Sequence, residues 1–171
     1  YIMKDTLISR REFLKDIGMI GAGVLLSASP WLSAFSEVVE TSGEKCRLAI
    51  IGPGSRGRFL MSFLVQNPKV EIVALCDIYQ PSIEKALELA PKAKVYDDYR
   101  EILEDKTVDA VLVATPLNSH CQIVLDAFDA GKHVFCEKSI GFTMEECFRI
   151  YNKHISTEKV FFTGQQRLFD P

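Results

Sequence analysis

A glycine-rich turn is the segment of this sequence with the clearest chemical potential. Residues 52–57 read Gly-Pro-Gly-Ser-Arg-Gly, a GxGxxG pattern that follows an apolar run and opens a helical pattern. Gly52 permits a tight turn, Gly54 lets the backbone approach an anion, and Gly57 lets a helix pack closely on a strand. The N–H groups of the helix N-terminus then face a diphosphate. The predicted dinucleotide-binding residues of this turn are Gly52, Gly54, Ser55, Arg56 and Gly57. Arg56 either contacts a phosphate or remains solvated.

A carboxylate completes this pattern. Asp77 ends the second apolar run, 20 residues beyond Gly57, where an acidic side chain binds the adenosine ribose hydroxyls. Its negative charge repels a 2′-phosphate, and the following Ile78 and Tyr79 supply no cation. The sequence therefore predicts NAD as the cofactor, with NADP less favoured. The alternative is that Asp77 only caps the end of the strand.

Alternating strands and helices must position these groups. Short apolar runs alternate with segments of 3.6-residue period, which predicts βαβ units and a parallel sheet. Strands are predicted at Cys46–Ile51, Val70–Cys76, Ala93–Tyr96, Ala110–Ala114, His133–Cys136 and Val160–Thr163. Helices are predicted at Ser55–Gln66, Pro81–Ala90, Tyr99–Glu104, Ser119–Ala130 and Thr143–Ser156. We expect an α/β fold with a doubly wound parallel sheet in the order 3-2-1-4-5-6, an NAD(P)-binding Rossmann domain over residues 46–164.

Three residues mark helix ends in this pattern. Pro81 suits a first helical turn, where its missing N–H costs nothing. Gly131 suits a left-handed C-cap. Thr143, followed by two glutamates, suits a helix N-terminus.

The first 36 residues resemble an export leader. Residues 9–15 read Ser-Arg-Arg-Glu-Phe-Leu-Lys, which matches the twin-arginine pattern SRRxFLK. The apolar stretch 17–28 is shorter than the roughly 20 residues of a spanning helix. Small residues at 34–36 offer a cleavage site, and 37–45 form a linker. We expect the twin-arginine export machinery as a partner and a periplasmic or secreted protein, membrane-anchored if the leader stays uncleaved. An ordinary amphipathic helix from Ser9 is the alternative.

Two further segments carry a resemblance to a known family. Residues 113–120 read Val-Ala-Thr-Pro-Leu-Asn-Ser-His, and residues 130–138 read Ala-Gly-Lys-His-Val-Phe-Cys-Glu-Lys. With the glycine turn, they resemble the TPxxxH and AGKHVxCEKP motifs of the Gfo/Idh/MocA oxidoreductase family over residues 46–171. The GxGxRG form, the leader and the Gly-Gln-Gln-Arg stretch at 164–167 also resemble a secreted branch that includes NAD-dependent α-N-acetylgalactosaminidases.

The resemblance implies roles for individual residues. Thr115 and Pro116 would line the cofactor cleft at the carboxyl end of the fourth strand, where open α/β sheets bind ligands. Asn118 and His120 would lie near the cofactor, although His120 can also be read as a simple helix-start residue. Glu137 would approach the nicotinamide ribose.

Lys138 is the expected catalytic residue, because the family's EKP lysine points at the reacting carbon and its hydroxyl. Alcohol oxidation removes a hydride and a proton together, and a cation beside the hydroxyl stabilises negative charge on oxygen. A desolvated lysine can also relay the proton. A solvated surface lysine is the alternative. Ser139 replaces the family's usual proline, and either alters the turn that places Lys138 or adds a hydrogen bond that proline lacks.

The end of the chain is expected to lead into a second domain. By resemblance, Gln165 and Arg167 would border the nicotinamide and the substrate entrance; the alternative is a polar exit loop. Residues 165–171 would begin the connection to a second α/β domain that supplies most substrate contacts in the family. We expect that domain to be absent from this chain, leaving apolar surface exposed.

Composition restricts the remaining possibilities. A net charge of −3 and a pI near 5.7 argue against a nucleic-acid partner, which needs a basic surface. The five cysteines are scattered without metal-ligand spacing, so neither a disulfide framework nor a metal site is expected. Cys76 and Cys136 lie in apolar runs and are predicted to be buried.

Three functions fit these observations. The first is an NAD-dependent dehydrogenase acting on a sugar or polyol. The second is a glycosidase that uses NAD catalytically, and the third is a non-catalytic dinucleotide-binding protein. In each case the whole protein is expected to be a homo-oligomer.

Overall fold

The computed structural model describes residues 45–165; the expected leader, almost all of the linker, and Arg167 lie outside this range. Strands and helices alternate along it. The strands are β1 (Cys46–Ile51), β2 (Val70–Cys76), β3 (Lys94–Tyr96), β4 (Ala110–Val113), β5 (His133–Cys136) and β6 (Phe161–Thr163). The helices are α1 (Ser55–Leu64), α2 (Gln80–Leu87), α3 (Tyr99–Glu104), α4 (Leu117–Asp129) and α5 (Met144–Ile155).

The strands form one parallel sheet in the order β3-β2-β1-β4-β5-β6. The doubly wound sheet predicted from the sequence is therefore confirmed, including its strand order. The chain builds outward from β1 on one side and from β4 on the other. A sheet wound in two directions opens a crevice at the carboxyl ends of its central strands, and ligands bind there.

Two apolar layers cover the two faces of the sheet. Alternate residues of a strand point to opposite faces, so Leu48 and Ile50 join one layer while Ala49 and Ile51 join the other. The first layer contains side chains of α1 and α2, and the second contains those of α3, α4 and α5. All four residues of β4 are buried, as expected for a parallel strand covered on both faces.

The predicted helix ends are present. Pro81 lies in the first turn of α2. Gly131, with φ of +70°, follows α4 in the left-handed region, where a glycine costs little. Thr143 caps α5: its hydroxyl accepts from the Glu146 N–H at 3.2 Å, and the Glu146 carboxylate accepts from the Thr143 N–H at 3.3 Å. This reciprocal capping box fixes where α5 begins.

Three strands and α3 have the predicted boundaries, and the other elements differ from prediction by one to three residues. The main differences are at α4, which begins at Leu117 rather than Ser119, and at α2, which ends at Leu87 rather than Ala90. Pro116 is the N-cap of α4, so the helix starts directly after it. The amides of Leu89 and Ala90 both bond to the Ala86 carbonyl, which tightens and ends α2.

Cys76 and Cys136 are buried free thiols, as predicted. Burial raises the pKa of Cys76 to about 11 and that of Cys136 to about 12. Because the thiolate is the reactive form, both are inert core residues at neutral pH.

Apolar residues on α5 and just before it remain exposed. Four lie on the helix and Phe142 precedes its N-cap, and all five are between 59% and 70% exposed: Phe142, Met144, Phe148, Tyr151 and Ile155. None of the helices between residues 45 and 165 combines the length and apolarity needed to cross a membrane.

Candidate active site at the carboxyl edge of the sheet

The predicted site residues follow neighbouring strands at one edge of the sheet. Gly52 follows β1, Asp77 follows β2, Glu137 follows β5, and Thr115 lies just beyond β4. Main-chain hydrogen bonds align these ends: the Gly52 N–H donates to the Cys76 carbonyl, and the Glu137 N–H donates to the Val113 carbonyl. The parallel sheet thus gathers residues far apart in sequence around the crevice between β1 and β4.

The turn after β1 requires glycine at two positions. Gly52 has φ of +83°, and a Cβ there would lie 2.8 Å from the Thr115 amide nitrogen. A Cβ on Gly57 would lie 2.6 Å from the Gly52 carbonyl oxygen. Gly52 therefore makes the tight turn, and Gly57 brings α1 against it, as the sequence predicts.

Gly54 has a different role. A Cβ there would meet nothing within 4 Å, so packing within the protein does not explain the glycine. Gly54 is also the N-cap of α1, with no side-chain cap and no acidic residue in the first turn. Open space therefore faces uncapped N–H groups at the positive end of a helix dipole. These features fit a bound diphosphate.

Asp77 lies at the end of the adjacent strand. Its side chain is partly buried, and its Oδ1 accepts a hydrogen bond from the Tyr79 N–H at 2.9 Å. Within residues 45–165, its Oδ2 has no hydrogen-bond partner. The neighbouring Ile78 and Tyr79 side chains are exposed. Asp77 therefore forms a small turn after β2 and keeps one carboxylate oxygen available for a ligand hydroxyl.

The loop after β4 packs directly on the glycine turn. The Thr115 methyl lies against Gly52, and the Ser119 hydroxyl contacts the Thr115 hydroxyl at 2.8 Å and the Pro116 carbonyl at 2.7 Å. Pro116 and Asn118 are exposed at this edge. Contact of Thr115, Pro116 and Asn118 with a cofactor stays a prediction.

Glu137 forms an ion pair that the sequence analysis did not predict. Arg56 Nε donates to Glu137 Oε1 at 2.7 Å, and the Glu137 side chain is 6% exposed. The loop after β6 closes on the same carboxyl group, since a Cβ on Gly164 would lie 3.0 Å from Glu137 Oε1. The neighbouring Gln165 is exposed. The opposite charges of the two residues were the one sequence signal for this ion pair. Because Arg56 and Glu137 are 81 residues apart, that signal does not show that they meet.

Lys138 is exposed directly after Glu137. Within the described range its ammonium makes no ion pair or hydrogen bond. Its own N–H donates to Glu137 Oε2 at 3.2 Å, and its peptide bond to Ser139 is cis. The side chain is thus free to reach a ligand at the carboxyl edge of the sheet.

His120 lies inside the protein. Its ring is 1% exposed, with Nδ1 2.7 Å from the Ser139 carbonyl oxygen and Nε2 2.8 Å from the Thr115 carbonyl oxygen. Both ring nitrogens therefore contact the main chain, and contact of His120 with a cofactor stays a prediction.

Among residues 45–165, no group of three or more His, Cys, Asp or Glu side chains could hold a metal ion.

Some proteins similar to this chain are glycoside hydrolases by name, and others are dehydrogenases. A glycosyl hydrolase family 109 protein of Stenotrophomonas maltophilia is 34% identical over 162 residues, covering 88% of this chain and 34% of the relative. An α-N-acetylgalactosaminidase of Shewanella oneidensis is 31% identical over 174 residues, which cover 89% of this chain and 38% of that relative. The chain therefore spans little more than a third of the length of these relatives.

A solved structure shares the fold described above. Myo-inositol dehydrogenase of Lactobacillus casei, in complex with NAD(H) and myo-inositol, superposes with a TM-score of 0.70 at 33% identity, covering 74% of this chain and 38% of that one. The family described as "Oxidoreductase family, NAD-binding Rossmann fold" (GFO_IDH_MocA) matches residues 46–165. The chain therefore belongs to the Gfo/Idh/MocA oxidoreductase family, and its residues 46–165 form the NAD-binding Rossmann domain typical of that family.

Proposed function

We propose that this chain is the nucleotide-binding part of an NAD-dependent enzyme that transfers a hydride to or from a sugar or polyol. The observation that carries this proposal is the open, uncapped N-terminus of α1 at Gly54. Asp77 at the end of the next strand supplies the partner for the adenosine ribose. The similarity to a dehydrogenase bound to NAD(H) and myo-inositol supports both the cofactor and the substrate class.

Charge favours NAD over NADP in this proposal. The Asp77 carboxylate would face the ribose hydroxyls, and a 2′-phosphate there would place like charges together. The two residues that follow, Ile78 and Tyr79, are exposed and uncharged, so they offer no compensating cation. The 2′-hydroxyl of NAD can instead donate a hydrogen bond to the carboxylate.

Lys138 would act on the substrate oxygen. When bound, NAD supplies the acceptor for the hydride that leaves the alcohol carbon. The Lys138 ammonium would hydrogen-bond the hydroxyl oxygen and stabilise its negative charge while the O–H proton passes to a water molecule. In the reverse direction, the same ammonium would polarise the carbonyl. The ion pair between Arg56 and Glu137 would hold the main chain just before Lys138 in place.

A glycosidase that uses NAD catalytically is the second candidate. It is favoured by the names of the relatives that are 31–34% identical, a family 109 glycosyl hydrolase and an α-N-acetylgalactosaminidase. Transient oxidation of the sugar would acidify the neighbouring C–H, and the glycosidic bond would break by elimination. Water would then add and the hydride would return, leaving no net oxidation.

One experiment separates these candidates. The intact gene product is purified, its bound nucleotide is identified, and it is incubated with NAD and either myo-inositol or an aryl α-N-acetylgalactosaminide. Net NADH formation supports the dehydrogenase, whereas aglycone release without net NADH supports the glycosidase. Lys138→Ala should abolish either turnover while NAD binding persists. Bound NAD without any turnover would leave a non-catalytic dinucleotide-binding protein.

We also propose that the protein is exported, fully folded, by the twin-arginine machinery to the periplasm or beyond. The support is the Ser-Arg-Arg-Glu-Phe-Leu-Lys segment at residues 9–15, together with a domain that would load its cofactor before export. Replacing both arginines, Arg10→Lys with Arg11→Lys, should retain the protein in the cytoplasmic fraction. Unchanged fractionation of this double variant would contradict the proposal.

A further inference from the structure

His120 joins the main chains that follow two neighbouring strands. It is the fourth residue of α4, and its ring is almost completely buried. Nε2 contacts the carbonyl of Thr115, just beyond β4, at 2.8 Å, and Nδ1 contacts the carbonyl of Ser139, just beyond Lys138, at 2.7 Å. One ring therefore links the loop beside the glycine turn to the loop that carries Lys138.

We propose that His120 is the positioning residue for Lys138, an inference that rests on the proposed function. The ring holds the Ser139 carbonyl at a set distance from the Thr115 carbonyl, and so sets where the Lys138 side chain begins relative to the cofactor cleft. His120 itself acts through the main chain and touches neither substrate nor the reacting atoms.

The position of Lys138 depends on this contact because its side chain has little else to hold it. Within residues 45–165 the ammonium has no partner, and a free lysine side chain samples many rotamers. Before Lys138, the main chain is held by the Glu137 N–H on the Val113 carbonyl at 2.9 Å and by the Lys138 N–H on Glu137 Oε2 at 3.2 Å. After Lys138, the Ser139 carbonyl is held by His120 at 2.7 Å, the shortest of the three contacts.

The hydrogen-bond chemistry explains why a histidine serves here. Carbonyl oxygens only accept, so a neutral ring, which carries one N–H, donates to one of the two carbonyls at a time, and the tautomer with the proton on Nδ1 donates to the Ser139 carbonyl. The two nitrogens of imidazole lie on different sides of the ring, and can therefore face two loops at once. An aliphatic side chain of similar size would fill the same space but would leave both carbonyls without this partner.

Two near-isosteric variants separate the two contacts. His120→Asn places an amide nitrogen near the position of Nδ1 and retains a donor to Ser139, whereas His120→Gln places it near Nε2 and retains a donor to Thr115. The intact protein is assayed with NAD and with myo-inositol or the aryl α-N-acetylgalactosaminide. We expect the kcat of His120→Gln to fall about 100-fold below that of His120→Asn, because small misplacements of a reacting group cost that much.

Additional measurements distinguish positioning from a general structural effect. The two variants should bind NAD with the same affinity as each other in calorimetric titrations. Crystal structures without cofactor should show the Lys138 Cα displaced in His120→Gln and unmoved in His120→Asn. Equal kcat in the two folded variants, or an unmoved Lys138 Cα in His120→Gln, would overturn the proposal.

Two controls keep the outcome interpretable. If His120→Gln does not fold, the inference is tested by a crystal structure of the unsubstituted protein with NAD. Absence of the contact between His120 and the Ser139 carbonyl in that structure would overturn the inference. Lys138→Ala is assayed in parallel. No NAD binding and no turnover by the unsubstituted protein would refute the proposed function itself, whereas loss of activity in Lys138→Ala beside equally active His120 variants would refute only the role of His120.

Discussion

The guanidinium of Arg56 donates a hydrogen bond to the carboxylate of Glu137 at 2.7 Å and ties the first turn of α1 to the end of β5. The Glu137 side chain is 6% exposed and that of Arg56 34%. Because water scarcely reaches the Glu137 carboxylate, its charge depends on protein partners. The pair therefore stabilises the glycine turn and the loop of Lys138 together.

We expect Arg56→Met to lower the free energy of unfolding by about 2 kcal/mol or more, since a buried carboxylate loses its cation. Urea unfolding measures this change. Arg58→Met is the matched control, because Arg58 Nη1 contacts only the Pro53 carbonyl among the hydrogen bonds described, and it should cost about 0.5 kcal/mol. Equal losses in the two variants would show that the Glu137 contact contributes nothing specific.

The glycine turn allows folding and binding to be tested separately. In Gly52→Ala the new Cβ would lie 2.8 Å from the Thr115 nitrogen at a φ of +83°, so we expect a loss of at least about 2 kcal/mol in stability. Gly54 has φ of −61° and ψ of −165°, which alanine adopts freely. Gly54→Ala should therefore melt like the unsubstituted protein, yet bind NAD at least about tenfold more weakly, or about 1.4 kcal/mol.

Thermal melting and calorimetric titration with NAD check both glycine variants. We expect Gly52→Ala to lower the stability of the protein and Gly54→Ala to lower its affinity for NAD. Unchanged NAD affinity in Gly54→Ala would contradict the placement of a diphosphate at the N-terminus of α1.

Asp77→Asn should change the choice of cofactor without disturbing the turn. The asparagine oxygen can still accept from the Tyr79 N–H, as Asp77 Oδ1 does at 2.9 Å, but the negative charge is gone. We expect the ratio of NADP to NAD affinity to rise by about tenfold or more, measured by titration with each dinucleotide. Asp97→Asn is the control, because Asp97 follows β3 as Asp77 follows β2. The same shift in both variants would remove the special role of Asp77.

The free energy of unfolding should depend on pH at acidic values through the Asp105 carboxyl. Hydrogen bonds from the Tyr96 hydroxyl and then from Thr107 lower the pKa of this carboxyl from 3.8 to about 2. A depressed folded-state pKa stabilises the protein above the unfolded pKa, and this stabilisation is lost as the pH falls through the folded one. Asp105→Asn should therefore be less stable than the unsubstituted protein at pH 7. The pH-dependent part of this difference should shrink below about pH 4 and disappear only below about pH 2.

Urea unfolding at several pH values tests this dependence. Tyr96→Phe removes the main donor and should reproduce the acid-dependent part of the effect. A stability difference that stays constant from pH 7 to about pH 2 would show that Asp105 is not the titrating group.

Most of the fold could be predicted from local patterns. The six strands, their order, the glycine turn and Asp77 all follow from hydrophobic period and from motifs within about twenty residues. Pro81, Gly131 and Thr143 mark helix ends because capping depends on backbone groups close in sequence. Helix boundaries are harder to predict, as at Leu117, because the contacts that define a helix end compete within a single turn.

The sequence by itself thus determined the class of fold and the edge of the sheet where a dinucleotide would bind. Only the tertiary structure decided which polar groups meet there. It pairs Arg56 with Glu137 across 81 residues and places His120 between the carbonyls of Thr115 and Ser139. Such contacts leave no periodic signal, because they arise when strand order brings distant loops together rather than from the conformation of either loop alone.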